Sequence, residues 1–230
     1  MALDIVKPSK TNQAWSTKNS IIIAIVSLII GLAIFALAYV SMSRHTYLDA
    51  FNQPILSWMI SHRQAQFTPI VAFITSFAGS LYLSVAVSVI ALIWAISRRE
   101  LWRPALLIGA VGFCSIIATV LKPLAHNARP IAENMIKPLE LDYSFPSGHT
   151  LAIIVFTLVF GYLIISRCSS KLRIAAWLLA TIILTFIIAC SRLYQGYHWL
   201  TDVTASIGIG FVVLALVIFA DRFFISIYSN

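Results

Sequence analysis

The chain has 230 residues, 60% hydrophobic and only 10% charged, and its mean hydropathy of +0.92 excludes an ordinary water-soluble core. Sixteen Lys and Arg against eight Asp and Glu leave a formal charge of +8, but the basic residues fall in short clusters between long apolar runs. That pattern excludes a nucleic-acid-binding surface and indicates a membrane protein. Cys114, Cys168 and Cys190 have no metal-type spacing, and two of them lie in apolar runs, so they read as packing residues rather than a disulfide framework or zinc site.

A bilayer core of roughly 30 Å takes about 20 apolar helical residues, and six such runs follow one another along the chain. The first extends from Ile21 to Met42, behind Lys7, Lys10 and Lys18, and lacks a small-residue cleavage site, so it is expected to be a retained anchor. Beyond it, Tyr47, Phe51, Ile55, Trp58 and Met59 recur near helical spacing and predict a short interfacial helix acting as a packing collar, with Pro54 near its start. No formal charge occurs between Arg63 and Arg98, a stretch too long for one crossing. Pro69 and Gly79 are expected to break it, leaving Phe67 to Ala78 as a short surface or re-entrant helix before the second span, Ser80 to Ser97. The remaining spans are Trp102 to Leu121, Thr150 to Ser166, Ile174 to Cys190 and Leu200 to Ala220. The expected fold is therefore all-α: one membrane-embedded domain, residues 1–230, with six transmembrane helices and short interfacial helices between the first two. No internal repeat supports an inverted-repeat transporter.

Orientation follows from the basic residues. Lys7, Lys10, Lys18, Arg98, Arg99, Arg103, Arg167, Lys171, Arg173 and Arg222 fall on one side. Arg44, Arg63, Lys122, Arg129, Lys137 and Arg192 fall on the other. Both termini are thus expected to be cytoplasmic. Whatever the absolute orientation, two crossings separate the loop after the third span from the loop after the fifth, so Lys122–His149 and Ser191–Asp202 must share a face, the outer one by the charge count.

That shared face is chemically dense. Lys122, Arg129 and Arg192 supply three cations, for which a tetrahedral phosphate dianion is the simplest common partner. Ser147 and Gly148 stand where the fourth span begins, so their backbone N–H groups are expected to be unpaired and directed at the same anion. His198 and Asp202, four apart, share a face if the sixth helix starts near His198; a carboxylate on one imidazole nitrogen leaves the other free as nucleophile or base. His149 is expected across the anion, donating a proton to a departing oxygen and later activating water. Singly, these residues have ordinary roles as snorkelling cations, a Pro-Ser-Gly turn or a surface ion pair. Their convergence on one face is what those roles leave unexplained. His126, Glu133, Lys137, Glu140 and Asp142 are assigned to the solvated outer loop, and Trp102, Tyr143, Tyr194, Tyr197 and Trp199 to aromatic belts, with Tyr197 and Trp199 flanking the site.

The three segments Lys122-x6-Arg129-Pro130, Pro146-Ser147-Gly148-His149 and Ser191-Arg192-x5-His198-x3-Asp202 closely resemble the motifs of the type 2 phosphatidic acid phosphatase superfamily, the lipid phosphate phosphatases. The resemblance implies that His198 attacks phosphorus to form a phosphohistidine, that Asp202 orients it, and that His149 protonates the leaving group. It implies that Lys122, Arg129, Ser147, Gly148 and Arg192 hold the phosphoryl oxygens, and it implies no metal or cofactor. The substrate would be a membrane lipid phosphate or diphosphate, such as undecaprenyl diphosphate, phosphatidylglycerophosphate, phosphatidic acid or a lipid A phosphate, with its tail in the bilayer. Two other functions stay open on the residues themselves: a phosphotransferase using the same intermediate, and a lipid or anion transporter that does not hydrolyse. The motif pattern also resembles vanadium haloperoxidases, which are similar to soluble enzymes rather than to this apolar chain.

Overall fold

A computed structural model describes residues 15–167 and 170–228, so Lys7, Lys10 and Cys168 lie outside the described residues. The architecture is all-helical. Long helices α1 (Thr17–Arg44), α4 (Ser80–Arg98), α5 (Trp102–Ala125), α6 (Gly148–Ile165), α7 (Lys171–Tyr194) and α8 (Leu200–Tyr228) alternate with short α2 (Asn52–Ser61) and α3 (Thr68–Ser76) after α1. All six long helices are long and apolar enough to cross a membrane. A 3-10 turn, Tyr47–Phe51, leads into α2, so the periodic segment around Trp58 and the break near Gly79 are both realised. Pro54 sits in the first turn of α2 and Pro69 in the first turn of α3, where a missing N–H costs nothing.

Helix limits follow local chemistry. Ser16 accepts from the Asn19 N–H at the start of α1, and His45 closes it in the left-handed conformation, φ 52°. The third and fifth spans run longer than expected. Helix α5 continues through Lys122 and Pro123 before His126 ends it at φ 49°, and α7 continues through Ser191 and Arg192 to Tyr194. Lys122 and Arg192 therefore project from last helical turns, rather than from loops.

Helices α6 and α8 form the centre. Leu151, Val155, Val159 and Leu163 of α6 pack with Ile209, Val213 and Ile218 of α8, all buried. Around them, α1, α4, α5 and α7 turn Ile29, Leu92, Ile96, Ile116, Ile182 and Phe186 outward, as lipid-facing surface requires. Close crossings depend on glycine. A Cβ at Gly31 of α1 would lie 2.6 Å from the Gly208 carbonyl oxygen of α8, and one at Gly161 would lie 1.7 Å from Trp177 Nε1, whose N–H donates to the Thr157 carbonyl at 2.7 Å.

At the end of the bundle away from His149, Arg103 is 2% exposed, donating to the Leu163 carbonyl at 2.5 Å and to Asp221 Oδ2 at 3.4 Å. Asp221 also accepts from Tyr162 at 2.8 Å and Trp102 Nε1 at 3.2 Å, while Glu100 accepts from Arg167 at 2.5 Å. Arg103 and Trp102 are thus members of an ionic knot joining α5, α6 and α8. Unpaired, either buried charge would be costly.

Candidate active site

The parity argument from the sequence holds: His149 and His198 line one cavity, together with Lys122, Glu140, Asp142, Tyr143 and Gly148. The cavity measures about 580 Å³ and continues between α4 and α5, past Ala152, Thr119, Ser115 and Cys114 to Leu83 and Val111. Lys122 lies eleven positions after Val111 on α5, so at 1.5 Å per residue this groove reaches about 16 Å along the helix.

His198 lies in the short connection from α7 to α8, and Asp202 in the first turn of α8. His198 is 1% exposed and Asp202 fully buried. Nδ1 of His198 is 3.2 Å from Asp202 Oδ2, which also accepts the Trp199 N–H at 2.9 Å. On the far side of the ring, Arg129 Nη1 is 3.3 Å from Nε2. A guanidinium can only donate, so Nε2 is the acceptor and Nδ1 carries the proton that bonds to Asp202. Burial, reinforced by Arg192, Arg129, Lys122 and His149, holds the His198 imidazole well below its ordinary pKa, so it is neutral with its Nε2 lone pair on the cationic side.

Three cations converge there, each held by the loop between α5 and α6. Arg129 donates to the Tyr197 carbonyl and to Asp142 Oδ1, both at 2.7 Å, and to the Asp142 carbonyl at 2.8 Å, and it forms an ion pair with Glu140 Oε2 at 2.7 Å. Lys122 pairs with Asp142, and Arg192 with Glu140. Arg192 also lies 4.4 Å over the Tyr197 ring, and its buried Nε has no hydrogen-bond partner among the described residues. Burial pushes the Glu140 carboxyl up, but Arg192 and Arg129 outweigh it and hold the group below its ordinary value; for Asp142, Lys122 and Arg129 likewise outweigh burial. Glu140 and Asp142, assigned from the sequence to a solvated loop, are therefore ionised partners of the three site cations. Their isolated positions in the sequence carried no signal of this pairing.

Gly148 opens α6, and a Cβ there would meet nothing within 4 Å, leaving room for close approach to the first-turn N–H groups. The expectation for Ser147 needs correction. Its N–H is not unpaired but donates to the Asp202 carbonyl at 3.3 Å, and its hydroxyl lies 3.1 Å from Thr150 Oγ1. Full burial explains the difference, because a buried N–H must find a partner and Asp202 supplies it. His149 is within electrostatic reach of Arg192, Glu140, Lys122 and Arg129. Gly79, at the start of α4, also stands here: a Cβ would be 3.5 Å from His149 Nε2.

The predicted collar packs Ile55 and Met59 against Ala189, Leu193 and Val203, whereas its Tyr47, Phe51 and Trp58 are exposed. Buried Asn52 accepts from the Thr201 N–H at 3.2 Å at the start of α8, and Thr75 of α3 meets Ser191 hydroxyl to hydroxyl at 2.6 Å. Tyr197 donates to the Ile136 carbonyl at 2.6 Å and Trp199 Nε1 to the Ala128 carbonyl at 2.7 Å, so both tie the loop between α5 and α6 to the site. His126 packs against Tyr143 with ring centroids 4.7 Å apart.

A family model described as the PAP2 superfamily matches residues 103–224, more than half of the chain. The chain belongs to the PAP2 superfamily. Among curated PAP2-like relatives, phosphatidylglycerophosphatase B of Bacillus subtilis (strain 168) is 27% identical over 121 residues, 52% of this chain and 58% of that protein. The match thus spans less than two thirds of that relative. Undecaprenyl-diphosphatase BcrC of the same organism is 23% identical over 158 residues, 67% of this chain and 75% of that protein. Two solved structures share the fold. The transmembrane PAP2 type phosphatidylglycerolphosphate phosphatase from Bacillus subtilis superimposes with a TM-score of 0.75 at 22% identity, covering 85% of this chain and 96% of that one. Aquifex aeolicus LpxE superimposes with a TM-score of 0.54 at 18% identity, covering 74% and 95%. With six membrane-length helices among the described residues and this superfamily, the protein is an integral membrane protein.

Proposed function

We propose that the protein is a metal-independent lipid phosphate phosphatase that works through a phosphohistidine on His198. The observation that carries this reading is the arrangement around His198: Nδ1 faces Asp202 while Nε2 faces Arg129 in a cavity shared with His149 and Lys122. In the first half-reaction the Nε2 lone pair attacks phosphorus, the bond from phosphorus to the leaving oxygen breaks, and that oxygen takes the electron pair and a proton from His149. A phosphate dianion beside His149 adds negative charge that favours its protonated form. Asp202 stabilises the positive charge that the imidazole gains on attack. In the second half, water gives its proton to His149 and attacks phosphorus, the P–N bond breaks, and His198 regains its lone pair. Lys122, Arg129, Arg192 and the first-turn N–H groups after Gly148 hold the phosphoryl oxygens, and the unused Arg192 Nε supplies one more donor. Ser147 fixes the helix start under them.

In this reading, the carboxylates of Glu140 and Asp142 stand where phosphoryl oxygens bind, and the substrate displaces them from the cations. The groove between α4 and α5 takes the proximal part of an apolar tail, so a lipid reaches the histidines sideways from the bilayer. The names of the relatives point to phosphatidylglycerophosphate and undecaprenyl diphosphate as substrate classes. The balance of basic residues supports cytoplasmic termini and a site on the outer face. The test is phosphate release by detergent-purified protein, with chelator present, from short-chain phosphatidic acid, phosphatidylglycerophosphate and a polyprenyl diphosphate. Release by the wild type and its loss in His198→Ala are expected. Release by His198→Ala at the wild-type rate, or strict dependence on a second lipid acceptor, would overturn the reading.

A further inference from the structure

We propose that Asn127, inside the first motif but outside its specified positions, is a positioning residue that holds the Asp202 carboxylate and thereby aims the His198 nucleophile. This rests on the reading of His198 given above. Asn127 follows the end of α5, and its Nδ2 donates to Asp202 Oδ1 at 3.0 Å and to Ser144 Oγ at 2.9 Å. The amide nitrogen is the donor of this pair and Asp202 Oδ1 its acceptor. Asp202 Oδ2 is already occupied by the Trp199 N–H and by His198 Nδ1. The bond to Oδ1 grips the carboxylate from its other side, so it cannot rotate and carry the imidazole with it. Ser144, fully buried, also lies beside this carboxylate, and its N–H donates to the Asn127 carbonyl at 2.9 Å. Asn127 and Ser144 are therefore the two ends of the excursion that carries Arg129, Glu140 and Asp142, and one amide joins the closure of that loop to the aim of the nucleophile.

Among the described residues no hydrogen bond joins the Asn127 side chain to Lys122, Arg129 or Arg192, and the main-chain bond from Ser144 that closes the loop survives substitution, so loss of the amide acts on the chemical step. Asn127→Ala is expected to lower kcat about 10- to 100-fold, the scale typical of outer partners that orient site ligands, and to leave KM unchanged. Asn127→Asp separates positioning from packing. It sets a second carboxyl against Asp202, with His198 and Arg129 beyond as the other charged or titratable neighbours. Two like charges at this distance share one proton. Protonated, the new carboxyl donates to Asp202 as the amide did; ionised, it repels. The ratio of kcat for N127D to that for N127A should therefore rise as pH falls. The experiment measures phosphate release from short-chain phosphatidic acid by each purified protein across the acidic-to-neutral range. Wild-type kcat in N127A, or a pH-independent ratio, would overturn the proposal. If N127A does not purify, the ratio of N127D to wild type carries the same test. Absence of release by wild-type protein on every lipid of the panel would overturn the phosphatase reading itself, and the proposal with it.

Discussion

Asp142→Asn removes one negative charge from the cation cluster while preserving side-chain shape. Asp142 pairs with Lys122 and Arg129, and its side chain is 56% exposed, so each pair is worth at most about 1 kcal/mol. If phosphate must displace this carboxylate from both cations, removing the competitor tightens substrate binding by up to about 2 kcal/mol, a fall in KM of about 3- to 30-fold. The guanidinium stays aimed, because Arg129 Nε bonds to the Asp142 main-chain carbonyl, which the substitution leaves in place. Glu140 remains on Arg129 and Arg192, so part of the competition persists. The assay is phosphate release as a function of short-chain phosphatidic acid concentration at neutral pH, at low ionic strength and again at ~0.15 M salt, where screening shrinks the gain. An unchanged or raised KM at both ionic strengths would refute the idea that the loop carboxylates occupy the phosphoryl positions.

Two further predictions concern the scaffold and its orientation. Gly161→Ala places a methyl group 1.7 Å from Trp177 Nε1, so the indole must swing and its bond to the Thr157 carbonyl is lost. Overpacking of this kind costs about 1–3 kcal/mol, and a lowered unfolding temperature in detergent, with near-normal activity in the surviving fraction, is expected. Glu133→Cys, in a variant without Cys114, Cys168 and Cys190, places a thiol at an exposed position of the outer loop and should label from outside intact cells. Labelling only after permeabilisation would reverse the topology.

Much of the architecture was legible because a bilayer imposes simple arithmetic on a sequence. Long apolar runs interrupted by charge became α1 and α4 to α8, and Pro69 with Gly79 marked the break that yields α3. The ends were less legible. Helix α5 runs past Lys122 because Pro123 forfeits only one donor near a terminus, and α7 carries Arg192 on its last turn because the site and loop satisfy that cation there. Hydropathy counts a charge as a stop; a partnered charge is not one.

What the sequence alone determined was the inventory and its convergence: the spacing of Lys122, Arg129, His149, Arg192, His198 and Asp202, and the even number of crossings that sets them on one surface. Only the tertiary structure decided how each group is occupied. Arg129 on Nε2 settles which imidazole nitrogen carries the proton, Asp202 claims the Ser147 N–H, and Glu140 and Asp142 pair with the cations. Asn127 braces Asp202 from 75 residues away in sequence. The reason is physical: spacing along one helix or across whole membrane crossings is a property of the chain. A hydrogen bond reaches only about 3 Å, so the choice of partner waits until packing has brought distant segments within that distance.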